Sequence, residues 1–180
     1  MTETTTAVPA PRAVPAAAPT GEDTGPAGGS DPQTPTAPEL LTPEEAARAL
    51  TDAPVRLTRG FLGLDPVTQN TALLARHIGD REIQVLRYGE ALLGYTVNPL
   101  QPRQAHVATT SADPAPLDAL LGFLADYQRA TSFVAEVPEG TPVLPALESC
   151  GFTPCGVLPG HLFHSGRYRE VLVLHTDREG

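Results

Sequence analysis

Apolar positions in this chain recur with a period near 3.6 in some stretches and near two in others, and the switches between the two lay out its elements. Leu117, Leu120, Leu121 and Leu124 form one stripe and predict a helix over 113–129. Leu73, Leu74 and Ile78 do the same for 65–78, with Asp65-Pro66 as its start. Thr42, Pro43 and Glu45 stand at capping-box spacing before a short helix that runs to about residue 50. A further short helix is expected over 142–150. Period-two or continuously apolar runs predict strands over 55–62, 82–88, 91–97, 104–110, 131–137, 152–163 and 168–174.

Breakers separate these runs. Gly79-Asp80 should end a helix, Gly89-Glu90 should turn a hairpin, and 98–103 reads as a proline-containing loop. Gly166 sits where a tight hairpin requires positive φ. The order is then β-α-β-β-β-α-β-α-β-β. The strand–helix–strand crossover over 104–137 makes its two strands parallel, and the remaining pairs should be antiparallel. The fold class is α/β (mixed α+β): a mostly antiparallel sheet with one central parallel pair, flanked by helices.

The most informative stretch is the last third. Ala146-Leu147-Glu148-Ser149-Cys150-Gly151-Phe152, then Gly156-Val157-Leu158-Pro159-Gly160, then Gly166-Arg167-Tyr168-Arg169-Glu170-Val171-Leu172 resembles the C-terminal segment of GCN5-related N-acetyltransferases. The hairpin carrying Gly89-Glu90 and Leu93-Gly94-Tyr95 resembles the central hairpin of the same family. The resemblance spans roughly 55–175 and implies one such domain over 39–180. It also implies acyl transfer from acetyl-CoA, or another CoA-like thioester, to an amine. Acetyl-CoA would be a co-substrate, and no cofactor is expected to be permanently bound.

Composition bounds the partners. The chain has 180 residues and a formal net charge of −9, which argues against a nucleic-acid backbone or an anionic membrane as the main partner. All 12 basic residues are arginine, so no lysine Schiff base is available. Residues 1–38 are rich in Thr, Ala, Pro and Gly, and the first aromatic residue of the chain is Phe61, so this segment is expected to be a disordered tail. No apolar run is long enough to span a bilayer, and the 2 cysteines fit a reducing cytoplasm. A small-molecule or peptide amine acceptor, a carrier protein or other protein partner, and a homodimer paired along the C-terminal edge are the partners this reading allows.

The resemblance places the acyl donor where the two parallel strands part, along Val107, Thr109, Thr110, Ser111 and Leu117. Relatives hold the pyrophosphate on backbone amides of a glycine-rich turn at a helix N-terminus. Here that turn, Thr109 to Asp118, has no glycine; Pro114 and Pro116 each remove an amide, and Asp113 sets a carboxylate where an anion would lie. That charge would cost a phosphate about 4 kcal/mol near 4 Å at an effective dielectric of 20. Thr109, Thr110 and Ser111 could donate hydroxyls instead.

The resemblance also puts Leu147 where many relatives carry a tyrosine that protonates the departing thiolate, and leucine has no proton to give. Tyr168 is the candidate acid in its place, with Tyr95 and Cys150 as further thiols or phenols; Glu136 and Glu170 are candidate bases, and His106 lies on the other parallel strand. A bland reading, solvated or packed side chains, applies to each. Cys150, Cys155, His161 and His164 could suggest zinc, but 161 and 164 point to opposite faces of one strand, so no metal site is assigned.

Overall fold

The polypeptide, seen in a computed structural model that describes residues 37–164 and 166–178, winds through seven strands and five helices among those residues. In chain order these are β1 (Glu39–Leu41), α1 (Pro43–Asp52), α2 (Val55–Thr58), a 3-10 turn (Phe61–Gly63), α3 (Thr71–Asp80), β2 (Gln84–Tyr88), β3 (Ala91–Asn98), β4 (Gln101–Thr109), α4 (Pro114–Gln128), β5 (Ser132–Pro138), α5 (Leu144–Ser149), β6 (Thr153–His164) and β7 (Arg167–Asp177). The expectation of a disordered tail falls, except for Ala37 and Pro38, outside the described residues. No helix among them is long and apolar enough to cross a membrane.

The caps form as the sequence suggests. The Glu45 amide donates to Thr42 Oγ1 at 3.3 Å, and Glu45 Oε2 accepts from the Thr42 amide at 2.9 Å. Those hydrogen bonds hold the Glu45 carboxyl below its usual range. With the folded pKa depressed, the cap's contribution is present at neutral pH and fades as pH falls through that depressed value. Asp113 caps α4, accepting from the Ala115 amide at 3.0 Å, and Arg129 closes that helix at φ 57°. Gly166 takes φ 78° in the β6–β7 turn.

Three expectations are corrected. Residues 55–62 do not form a strand; the first strand is Glu39–Leu41. The Leu57 amide donates to Pro54 O and the Arg59 amide to Val55 O, which makes local turns, and Gly60 reverses the chain at φ 76°. Asp65 does not start a helix: its carboxylate accepts from the Val67 amide and the Thr68 hydroxyl in a turn, and α3 begins after Asn70, which caps Leu73. Gly79-Asp80 does end a helix as expected: Asp80 is the last residue of α3, Arg81 is its C-cap, and Glu82 follows at φ 52°. The segment 98–103 is not all loop, because Asn98 and Gln101 already pair and only Pro99-Leu100 turns between β3 and β4.

The sheet order is β1-β2-β3-β4-β5-β7-β6. Only β4 and β5 run parallel, paired at Gln104↔Ser132, Ala105↔Phe133 and His106↔Val134. Beyond that register the two strands no longer pair with each other, β4 continuing to Thr109 beside β3 and β5 to Pro138 beside β7, so the sheet forks there. Strand β7 lies between β5 and β6, which accounts for its apolar run: Val171 and Leu174 are buried. One face of the sheet, with Leu93, Val107, Phe133 and Leu174, packs on α4 and α5. The other face, with Val85, Leu92 and Ala108, packs on α1, α3 and the 3-10 turn.

Gly151 ends α5 at φ 88° and sends Phe152, 2% exposed, into the first of these cores. An added Cβ would also come 3.3 Å from Thr176 Oγ1. Gly151→Val should therefore cost about 1–3 kcal/mol of backbone strain. Urea midpoints would read that loss; an unchanged midpoint would show that the left-handed turn is not required here.

Candidate functional site

Strand alternation decides what faces the fork. Ala105 and Val107 of β4, and Phe133, Ala135 and Val137 of β5, point into the α4/α5 core. The residues between them, His106 on β4 and Val134 and Glu136 on β5, must point to the opposite face, toward the 3-10 turn. Thr96 of β3 is directly opposite His106 in the register and shares that face. Together with Leu62, Gly63, Arg81 and Val107 these residues line a cavity of about 200 Å³. Arg81 reaches it from the C-cap of α3, with its guanidinium over Gly63: a Cβ at Gly63 would stand 3.4 Å from Arg81 Nη1. The Thr96 hydroxyl donates to Arg81 O at 3.3 Å and ties α3 to β3.

Of the expected site residues, Glu136 and His106 are brought together at this cavity. Glu170 is exposed on β7, and Tyr168 is 70% exposed at the hairpin, edge-to-face on Phe163 at 5.2 Å; neither lines the cavity. Val107 and Thr109 line the slot between the parting strands, whereas Leu117 is fully buried in the core beneath α4. Tyr95 lines a separate cavity with Glu82, Gln84 and Gln128, and burial pushes its phenol up. Burial, aided by the Asp118 carboxylate and opposed by Arg178, pushes the Cys150 thiol up too, so it is a poor thiolate. Among the described residues no three His, Cys, Asp or Glu side chains converge as metal ligands would. Ser132, His175 and Asp177 form a cluster, but Ser132 Oγ at 2.9 Å and Asp177 Oδ1 at 3.3 Å both meet His175 Nε2. A nucleophilic triad needs the two ring nitrogens to serve different partners.

The slot itself is nearly full. Leu57, Arg59, Gly60 and Phe61 close it from one face and Val143 and Leu147 from the other, leaving about 10 Å³, at the limit for one water. Arg59 was not singled out by the sequence. Its Nη1 donates to Phe163 O at 3.1 Å, while its Nε is buried without a partner among the described residues.

No family model and no curated protein matches the sequence. Solved structures do match. The spermidine N-acetyltransferase of Vibrio cholerae, in complex with CoA and spermine, superposes with a TM-score of 0.58 at 14% identity, over 78% of this chain and 95% of its own. A protein described as a phosphinothricin N-acetyltransferase gives a TM-score of 0.58 at 15% identity, over 78% and 98%. A chimera of the Vibrio cholerae enzyme with hSSAT gives 0.57 at 14%, over 79% and 96%.

The fold is that of the GCN5-related N-acetyltransferases.

On this N-acetyltransferase fold, the turn that opens α4 is the one where the resemblance leads one to expect a pyrophosphate grip, and its amides can be accounted for one by one. The Thr110 amide donates to Leu92 O at 2.9 Å. The Ser111 amide donates to Thr109 Oγ1, the Asp113 amide to Ser111 Oγ and the Ala115 amide to Asp113 Oδ1, each at 3.0 Å. Pro114 and Pro116 have no amide to offer. From 110 to 116 only the Ala112 amide lacks a partner among the described residues.

One expectation changes as a result, and one gains a constraint. Thr109, Thr110 and Ser111 accept from the chain's own amides, Thr110 Oγ1 from Leu92 at 2.9 Å, which takes those amides, while the hydroxyl protons of Thr109 and Ser111 are still there to donate. Asp113 is exposed, so its repulsion of an anion is nearer the roughly 1 kcal/mol of bulk water than the 4 kcal/mol expected at a dielectric of 20. On this N-acetyltransferase fold, occupied amides weigh more than charge.

Proposed function

We propose that this chain is a binding or accessory protein built on the N-acetyltransferase fold, one that does not turn over acetyl-CoA. The observation that carries the reading is the amide account of the α4 turn: six of seven positions are bonded internally or are proline. Anion binding at a helix N-terminus depends on free N–H groups there. The filled slot and Leu147, 1% exposed, support the same reading. Partners of this kind are small molecules or proteins; the outer strand β6 leaves an edge along which a second copy could pair.

The deciding experiment is thermal unfolding of the full chain with acetyl-CoA. Ligand at a hundred times its dissociation constant adds about 2.7 kcal/mol. No rise up to millimolar acetyl-CoA is expected, and a saturable rise would overturn the reading.

A second reading, favoured by Glu136 and His106 at the mouth of the fork, is a divergent N-acyltransferase. In it a neutral amine attacks the carbonyl of acetyl-CoA or of a carrier-protein thioester, the thiolate leaves and is protonated, and a base takes the proton from nitrogen. Glu136 is then the base, with Glu170 as the alternative and Tyr168 as the acid. Under this reading thiol release with an amine panel is measurable, and Glu136→Gln should slow it by about 10²–10⁴-fold. Absent release would leave the binding reading alone, whereas release unaffected by the substitution would overturn the binding reading and pass the role of base to Glu170.

A further inference from the structure

The cavity beside the fork is lined by one cation, one carboxylate and one imidazole, on Arg81, Glu136 and His106. Among the described residues none of the three makes a side-chain ion pair, and no Arg81 nitrogen lies within 4.0 Å of a Glu136 oxygen. Three described arginines pair with acidic side chains, Arg76 with Asp80, Arg87 with Glu39 and Arg178 with Asp118; Arg81, exposed at the rim of this cavity, is among those that do not. Opposite charges that line one cavity, stay apart and remain unpaired are complementary to a ligand that carries both signs.

We propose that this cavity binds a small zwitterionic amine of the amino-acid class, with its ammonium group against Glu136 and its carboxylate against Arg81. Three features narrow the class. The volume, about 200 Å³, lies below the roughly 300 Å³ at which drug-sized sites begin, so a nucleotide or a CoA does not fit. A polyamine would satisfy Glu136 but place a second cation beside Arg81, and a simple carboxylic acid would do the reverse at Glu136. The position of Arg81 is built in: Gly63, at φ 71°, has no Cβ to obstruct the guanidinium, and Thr96 fixes the Arg81 carbonyl. His106, across from Thr96 on the same face, is left to hydrogen-bond the ligand between its two charges. This deepens the binding reading above by naming its ligand.

The test is calorimetry on the full chain with a panel of α-amino acids, β-alanine and γ-aminobutyrate, against ethylamine, acetate and spermidine. At least one zwitterion should bind about tenfold or more tightly than ethylamine, acetate or spermidine, as one extra charge-assisted hydrogen bond implies. Arg81→Gln should bring that zwitterion down to the affinity of the amine, and Glu136→Gln to that of the acid, each with an unchanged melting curve. The inference is overturned if spermidine or ethylamine binds as tightly as any amino acid, if the two variants keep wild-type affinity, or if nothing in the panel binds. Acetyl-CoA titrated into the same sample separates the two ideas: its binding would overturn the non-turnover reading and leave the amino-acid result standing or falling by itself.

Discussion

Gly94→Val should remove a large share of the stability of this domain. Gly94 lies mid-strand in β3, where glycine is normally a weakness. Its lack of a side chain is used: a Cβ there would come 2.5 Å from Phe61 Cε1, 2.6 Å from Phe61 Cζ and 2.9 Å from Leu62 Cδ1. Phe61 is 2% exposed and holds the 3-10 turn against the sheet, so a valine must drive that ring out. The cost should match that of deleting a buried Phe, about 3–5 kcal/mol, against a total of about 5–15 for a typical domain. Phe61→Ala alone should cost a similar amount. Because both act on one contact, Gly94→Val combined with Phe61→Ala should lose clearly less than the sum of the two. Chemical unfolding of the three variants and the wild type settles it: strict additivity would mean that Gly94 and Phe61 are not coupled. The same contact matters for the site, since the 3-10 turn supplies Leu62 and Gly63 to the cavity.

How far the sequence could be read follows from what kind of signal each element carries. The capping box at Thr42 and Glu45, the positive-φ glycines 151 and 166 and the parallel pair β4/β5 rest on local chemistry or on chirality, and all are present. The stretch 55–62 was misread because Val55 and Leu57 alternate over too short a span to separate a strand from a turn. The side chains that bury there, Thr58, Phe61 and Leu64, are spaced by three. Strand β1 has three residues and buries only Leu41, so it has no alternation to detect. At the site, His106 and Glu136 could be placed by counting along two strands. Arg81 could not, because it arrives from a helix end after which Glu82 takes φ 52°, a conformation its sequence does not announce. The amides that Thr109 and Ser111 take up were hidden for a related reason: a sequence shows that a hydroxyl exists, but not that the backbone has already turned an amide onto it.

Reopening the α4 turn should raise CoA affinity above that of the wild type. Three substitutions address its three obstacles. Pro114→Gly and Pro116→Gly each restore an amide, and an amide donating to a charged phosphate is worth about 1.5–3 kcal/mol. Asp113→Asn keeps an N-cap of similar quality and removes a repulsion of about 1 kcal/mol at an exposed position. Glycine in the first turn costs part of this through backbone entropy, roughly 0.5–1 kcal/mol each. The balance still favours the triple variant by at least about tenfold in CoA affinity. Two controls separate causes. Added salt should shrink the gain, because the new contacts are to an anion. Pantetheine, which lacks the pyrophosphate, should bind neither protein better than the other. If the triple variant gains nothing with CoA, the obstacle is the slot closed by Leu57, Phe61 and Leu147, and the amide account is not what excludes the cofactor. If the wild type already binds CoA tightly, the anion must be held by groups other than the α4 amides, and the acyltransferase reading replaces the binding one.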